Sequence, residues 1–360
     1  MAVPCLEVVR QVPRGNSMPR YHVIHGLYIE SDLPLSDFQK VDDVGVFAVH
    51  SQFIKVQKSP NPLPLEAKNS EGSWLTYYKT DDELLLIWNG HFSFRIQFSK
   101  NTIHYQKSHS VNLDFMVSVL LSTVLSCFLV RKNIEPLHGS VLSYQIDGIQ
   151  MGIMILGQSG YGKSTLCAGL TKCNWQLVSD DMIHLQKKPG GYVCLAGPAL
   201  LKLYPDSLNA VLRPDNSHFK IKDLSALTEK KLIQSQPDLP HQNSQPVNID
   251  LVLQLNDPES ESVAALTMRQ LPISKAYFSF LENIFNLIDL NSNRMTQIHK
   301  HCADWSLWLI NYQLSYPRSY QGFADVCQQI SHQIISIVLE KRRGLIRKNP
   351  SASLGQSFIC

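Results

Sequence analysis

Met151-Gly152-Ile153-Met154-Ile155-Leu156 runs without a break into Gly157-Gln158-Ser159-Gly160-Tyr161-Gly162-Lys163-Ser164, and this stretch decides the fold. Its second half fits G-x-x-x-x-G-K-[ST] at every fixed position. The chemistry of that pattern needs those residue types. Glycines let backbone N–H groups turn inward around phosphate oxygens, and the positive end of a following helix adds to the attraction. Lys163 is spaced to reach the β- and γ-phosphates of a nucleotide, and the Ser164 hydroxyl to coordinate Mg²⁺. The context agrees, because the apolar run before the loop reads as a strand and residues 164–172 read as a helix. The expected phosphate cradle is Gly157, Gln158, Ser159, Gly160, Tyr161, Gly162, Lys163, Ser164 and Thr165. A chance glycine-rich turn would need no lysine followed by serine.

Working outward, Gln176-Leu177-Val178 reads as a short buried strand that ends at Ser179-Asp180-Asp181. The acids follow Lys163 by 17 and 18 residues, an interval used up by one helix and a return strand. Strand, glycine loop, helix and strand in that order predict a βαβ unit of an α/β core. The second strand is expected beside the loop strand in a parallel sheet, with both acids at its carboxyl end, where such sheets bind ligands. Neighbours on a strand point to opposite sides, so the two acids are expected to divide the work. One can serve Mg²⁺ and the other can take a proton from an attacking hydroxyl. A solvated turn with two acids is the plain alternative. Shortly before the loop strand, His138-Gly139-Ser140 follows Pro136-Leu137, and His138 could tune a nearby aspartate by charge or hydrogen bonding.

The flanks have a different grammar. Residues 1–110 hold short strand-like runs at 22–29, 44–49, 84–88, 92–98 and 102–105, with Asn89-Gly90 as a hairpin signal between two of them. Phe92, Phe94 and Ile96 alternate with Ser93, Arg95 and Gln97, as on a half-exposed strand. This predicts a mainly antiparallel β domain. Residues 111–133 form a connecting helix whose apolar stretch, 113–130, is about as long as a short membrane span. Ser118, Ser122 and Ser126 recur every four residues within it, which predicts a buried helix with one semi-polar stripe and no stable membrane insertion. The catalytic domain is assigned to 134–340, with a turn and helix at 198–212, a mobile loop at 232–248, strands at 249–255 and 263–266, and helices at 274–290, 295–311 and 320–340. Residues 341–360 read as a flexible basic tail.

Composition narrows the classes further. At 360 residues, 44% hydrophobic and 18% charged, the chain reads as folded and of two-domain size. A formal charge of +3 is too small for a dedicated nucleic-acid binder. Eight cysteines with no Cys-x-x-Cys pair give no support to a paired-cysteine zinc site and read as reduced thiols. With no secretory pattern at the start, a cytoplasmic location is expected.

Leu137-His138-Gly139-Ser140, the glycine loop, and Trp175-Gln176-Leu177-Val178-Ser179-Asp180-Asp181 resemble, in order and spacing, the core of the HPr kinase/phosphorylase family. Pro198-Ala199-Leu200-Leu201-Lys202-Leu203-Tyr204-Pro205-Asp206, the segment His25 to Leu35, and Leu314-Ser315-Tyr316-Pro317-Arg318 resemble blocks of its related branch. The resemblance implies an α/β fold, the P-loop kinase core shared with phosphoenolpyruvate carboxykinase, here with a mainly β N-terminal domain. It implies ATP and Mg²⁺ as cofactors and a serine hydroxyl of a protein or peptide as acceptor. By the same resemblance Asp180 is the catalytic base, assisted by His138 and with Lys163 on the phosphates, and Asp181 joins Ser164 at the metal. It leaves a homo-oligomer open, since HPr kinases form rings. The chain departs from the family where a Glu-Ile-Arg-Gly block is replaced by Lys202-Leu203-Tyr204-Pro205, which points away from a reverse, phosphorylase activity. Two other classes stay open: an NTP-dependent enzyme acting on a small molecule, and a nucleotide-binding sensor without turnover.

Overall fold

The computed structural model describes residues 21–35, 40–41, 53–67, 74–212, 219–225, 228–235, 245–258, 263–285, 288 and 290–348. Among these, the first sheet is built from β1 (Tyr21–Ile24), β2 (Leu27–Ser31), β3 (Lys40–Val41), β4 (Phe53–Lys58), β5 (Leu75–Lys79), β6 (Glu83–Trp88), β7 (Phe92–Gln97) and β8 (Thr102–Lys107). Their order is β3-β1-β2-β4-β8-β7-β6-β5. The pairings β2–β4 and β4–β8 are parallel, so the sheet is mixed rather than uniformly antiparallel. The run expected at 22–29 is two strands, because His25 and Gly26 both take left-handed backbone (φ 54° and 74°) and turn the chain. Asn89-Gly90 does sit in a hairpin, as a three-residue loop, since Trp88 pairs with Phe92. The strand expected at 44–49 lies outside the described residues.

The helix Leu113–Arg131 is long and apolar enough to cross a bilayer, yet 72% of its apolar window is buried. Leu120, Leu121, Val124 and Leu125 pack with Phe92, Phe94 and Ile96 of the first sheet. Its serines meet their hydrogen-bonding needs within the helix. Ser118 donates to Phe115 O, Ser122 to Ser118 O and Ser126 to Thr123 O. Such back-bonding bends helices, and the middle turn, Leu120–Val124, is π-helical. This is a core helix.

The second sheet uses β9 (Leu137–Ile146), β10 (Ile149–Leu156), β11 (Gln176–Ser179), β12 (Met182–Lys188) and β13 (Gly191–Leu195). After β14 (Leu200–Leu203), β15 (Phe219–Ser225) and β16 (Thr228–Ser235), which form a separate three-stranded sheet, it continues with β17 (Val247–Asn248), β18 (Leu251–Leu255), β19 (Thr267–Gln270) and β20 (Asn311–Ser315). At its centre β10, β18 and β20 run parallel. Residues on β10 alternate between two cores, as a strand covered on both faces requires. Ile153 and Ile155 pack with Leu166, Leu170 and Ile330 of the helices Lys163–Thr171 and Phe323–Lys348. Met154 and Leu156 pack with Phe280 and Trp305 of the helices Ile273–Glu282 and Ser292–Trp308. The result is a mixed α/β fold with helices on both faces.

Several expectations need correction, among them the strand at 263–266, which the structure places at Thr267–Gln270, and the helix at 274–290, which ends at Glu282. The strand carrying the acids, β11, is not beside the loop strand. Asp147 and Gly148, both at positive φ (49° and 75°), close a hairpin that lays β9 between β10 and β11, antiparallel to both. The parallel neighbour of β10 is β18. The segment 198–212 holds a strand, β14, ahead of its helix Pro205–Val211, and residues 232–235 belong to β16 rather than to a loop; residues 236–244 lie outside the described set. Finally, the last helix runs to Lys348, past the expected start of a flexible tail at 341. Arg342 in it pairs with Asp250 at 2.8 and 2.9 Å and donates to Gln150 O. Residues 349–360 lie outside the described set.

Candidate active site

Where β10 ends, the chain enters left-handed backbone at Gly160 and Gly162 (φ 88° and 83°), which side chains rarely adopt. Gly162 caps the helix that begins at Lys163. The Gly157 N–H donates to Asn283 Oδ1 at 3.2 Å, and the Gln158 amide donates to Glu282 O. Lys163 folds over the loop, its Nζ donating to Gly157 O at 2.6 Å and Gln158 O at 3.1 Å. Burial holds this ammonium below its ordinary range, against the pull of Asp180 and Asp181. The Thr165 hydroxyl donates to Ser207 Oγ, which in turn bonds the Tyr320 hydroxyl at 2.8 Å.

Asp180 and Asp181 interrupt one course of chain along β9. Ser179 lies opposite Val141, Met182 opposite His138, and the two acids fall between, beside Ser140 and Gly139. Met182 N–H donates to Asp180 O at 2.9 Å around Asp181, whose φ is 71°. That is a γ-turn of the rare, strained hand. It breaks strand alternation, so both carboxylates line one cavity instead of opposite faces. Gly139 separates them from the loop strand. A Cβ there would come within 2.6 Å of Leu156 Cδ2 and 2.7 Å of Ile155 O, so the middle of the His-Gly-Ser triplet has room for glycine alone.

The two acids have opposite electrostatics. Asp180 is buried, and burial, then the Asp181 charge, raises its carboxyl to about 6, even though the Ser140 hydroxyl donates to its Oδ1 at 2.5 Å. For Asp181, burial pushes upward as well, but the Lys202 ammonium, donating to its Oδ2 at 2.6 Å, outweighs it and lowers the carboxyl to about 2. His138 Nδ1 lies 3.0 Å from Asp181 O. A carbonyl accepts only, so Nδ1 carries the proton and the neutral ring presents Nε2 as an acceptor. Burial and the Lys163 charge keep this imidazole neutral by lowering its pKa.

Asp180, Asp181, Lys202 and His138 border one cavity of about 380 Å³ with the cradle residues 159–165. Of the expected cradle, Gly157 and Gln158 lie beneath Lys163 rather than on the cavity wall. No cluster of three or more His, Cys, Asp or Glu side chains able to hold a metal occurs among the described residues. The donor set suits Mg²⁺ nonetheless, because that ion commonly takes one or two carboxylates and fills its shell with phosphate and water. Ser164 and Asp181 line the cavity with that capacity, although Lys202 now holds Asp181.

In the sequence reading Lys202 stood only as a departure from the family block, and Ser140, Ser207, Lys230, Arg318 and Tyr320 had no role of their own; all but Ser140 line the cavity. Ser140 binds Asp180, and Lys202 binds Asp181. Arg318 crosses to the cradle from the loop after β20, donating to Tyr161 O (2.8 Å), Tyr316 Oη (2.7 Å) and Asn256 O (3.2 Å). Ser207, Lys230 and Tyr320 complete another part of the wall. The only sequence signal for Arg318 was its place in the Leu314-Ser315-Tyr316-Pro317-Arg318 block.

Fold and site together define a P-loop protein of mixed α/β type. Its relatives are HPr kinase-like. HPr kinase/phosphorylases of Lactobacillus johnsonii and Lactobacillus gasseri each match 89 residues at 34% identity, covering 24% of this chain. The chain spans about a quarter (27%) of the length of these curated relatives. Among solved structures, the Hpr(Ser) kinase/phosphatase from Coxiella burnetii aligns with 61% of this chain and 99% of its own, at 16% identity and a TM-score of 0.33. No protein-family profile matches the chain.

Proposed function

We propose that this protein is an ATP-dependent phosphotransferase that moves the γ-phosphoryl group to a serine hydroxyl of a protein or peptide, with Mg²⁺ as cofactor, in the cytoplasm. The observation that carries this reading is the divergence of the two adjacent carboxyls, Asp180 raised to about 6 and Asp181 lowered to about 2, in the cavity of the glycine loop. Neighbouring groups pushed apart in this way divide acid–base work from charge work. Asp180 is the proton acceptor for the attacking hydroxyl, since its pKa lies near working pH and it is ionised there. Asp181 stays charged and, with the Ser164 hydroxyl, would hold Mg²⁺ on the phosphates. Lys163 supplies positive charge to the phosphates, where transfer places its greatest demand. His138 is a positioning residue, fixing the Asp181 carbonyl through Nδ1–H.

One observation favours the second reading, a nucleotide-binding sensor without turnover: the Lys202 ammonium occupies the carboxylate assigned to the metal. Incubation with γ-labelled ATP, Mg²⁺ and proteins encoded by neighbouring genes separates the two. Label on serine, lost in Lys163→Ala, is the expected result. Nucleotide binding with neither hydrolysis nor transfer would leave the sensor.

A further inference from the structure

The three-stranded sheet of β14, β16 and β15 carries lysines toward the cavity and away from it. Three have carboxylate partners. Lys202 Nζ lies 2.6 Å from Asp181, Lys222 Nζ 2.6 Å from Asp114, and Lys231 pairs with Asp223. Lys220 is exposed and does not line the cavity. Lys230 does line it, and no carboxylate partners it among the described residues. Its Nζ stands 5.1 Å from the centroid of the Tyr204 ring. That contact is the weak kind a half-exposed ammonium makes with an aromatic face, on the order of 1 kcal/mol.

The other cations of the cavity are committed. Lys163 is held on the loop carbonyls, and Arg318 spans Tyr161 O, Tyr316 Oη and Asn256 O. Lys230 makes no ion pair among the described residues, though its charge is felt at Asp181 and Lys163, so its ammonium can turn to an incoming anion other than the phosphates. Beside it, Tyr204 is 52% exposed, an aromatic surface at the cavity edge of the kind enriched where proteins recognise partners. We infer that Lys230 and Tyr204 form an acceptor subsite for a peptide segment that carries a carboxylate next to the reacting serine. The inference rests on the phosphotransferase reading above and names its substrate class. The carboxylate takes the ammonium from the Tyr204 face, and the ring then packs against the segment. A basic acceptor would instead meet Lys163, Lys202, Lys230 and Arg318 on the same wall.

Direct binding tests this without any transfer. The full chain, loaded with Mg²⁺ and ADP, is titrated calorimetrically with three peptides that carry alanine at the acceptor position, flanked by Asp, by Asn or by Lys. The Asp peptide is expected to bind about tenfold tighter than the Asn peptide, the scale of one charge-assisted hydrogen bond. Lys230→Gln should erase that preference and Lys230→Glu should turn it toward the Lys peptide, while Lys220→Glu keeps it. Equal binding of Asp and Asn peptides by the parent protein would overturn the inference. So would a preference surviving Lys230→Glu, or a loss in Lys230→Gln of ADP affinity alone, which would assign Lys230 to the nucleotide. Because the readout is binding, a protein that fails to transfer phosphate fails the phosphotransferase reading without moving this result.

Discussion

Ser140 and Asp180 meet at 2.5 Å inside the second sheet, the hydroxyl of β9 donating to a carboxylate that burial drives toward its neutral form. The burial that fits the acid to its proposed role is also costly to the fold. Folded, its carboxyl keeps a proton to about pH 6, against 3.8 in the open chain. Between those values the folded chain holds the extra proton, so stability falls as pH rises from about 4 to about 6, and the deficit persists above. Asp180→Asn should therefore be more stable than the parent at pH 7, by on the order of 1–3 kcal/mol, and the gap should close by about pH 4. Urea denaturation at both pH values reads this. A parent that matches the variant at pH 7 counts against a strained acid.

On the proposed phosphotransfer, the same acid would set a pH–rate profile. Transfer should rise through about pH 6 and then level, as Asp180 ionises. Ser140→Ala removes a hydrogen bond that favours the ionised form, so the midpoint should move upward. Asp180→Asn should lower transfer by about 10²–10⁴-fold while nucleotide still binds. A midpoint unmoved in Ser140→Ala would detach that hydroxyl from the acid.

At the proposed metal site, Lys202 and Mg²⁺ would compete for Asp181. Lys202→Met should lower the Mg²⁺ concentration needed for nucleotide binding, because the carboxylate no longer has an ammonium at 2.6 Å. Asp181→Asn should raise it, an amide oxygen being a weaker ligand for a hard cation than a carboxylate. Mg²⁺ titrations followed by a fluorescent ADP analogue give both numbers. Identical curves for the three proteins would remove Asp181 from the metal.

Gly162→Ala meets two obstacles: a φ of 83° and an Arg318 Nη1 only 2.9 Å from the new Cβ. Adding Arg318→Ala relieves the second but leaves the backbone penalty, about 1–2 kcal/mol for a left-handed alanine. Nucleotide affinity should fall in the single variant and stay low in the double. Full recovery in the double would mean that contact with Arg318, not backbone strain, is what requires glycine there.

Glu135 accepts from Arg294 Nη2 at 2.5 Å and Nε at 3.2 Å, with both side chains nearly solvent-free. This pair ties the helix Ser292–Trp308 to the chain that enters β9. Glu135→Ala leaves the guanidinium buried without its carboxylate and should cost about 3–5 kcal/mol in denaturant unfolding. A loss under about 1 kcal/mol would mean that water reaches the arginine.

The candidate site was legible in sequence where its residues are close along the chain. Gly157 to Thr165 carry their own geometry in glycine and lysine spacing, and the interval to Asp180 has room for one helix and one strand. The same local signal was present but unused at Asp147-Gly148, whose two positive φ values make the hairpin that inserts β9. Reading that turn would have placed β11 correctly. What lay beyond reach depends on distant packing. The γ-turn at Asp181 has no local marker, Lys202 reaches Asp181 across a separate sheet, and Arg318 contacts Tyr161 from 157 residues away. The last two are tertiary contacts that spacing does not encode. The 113–130 stretch was readable as a buried helix because its serines recur at helical spacing, although the π-helical turn was not.

The helix Leu113–Arg131 has one more consequence, for the order in which the chain is made. A ribosome releases every strand of the first sheet, from Tyr21 to Lys107, before it releases this helix. The surface that covers Leu120, Val124 and Phe128 is thus already synthesised when they leave the exit tunnel. Were the helix encoded first, 19 residues apolar enough for a bilayer would wait uncovered in the path of chaperones and membrane-insertion machinery. Sheet before helix is the vectorial arrangement that lets so greasy a segment fold into its own domain.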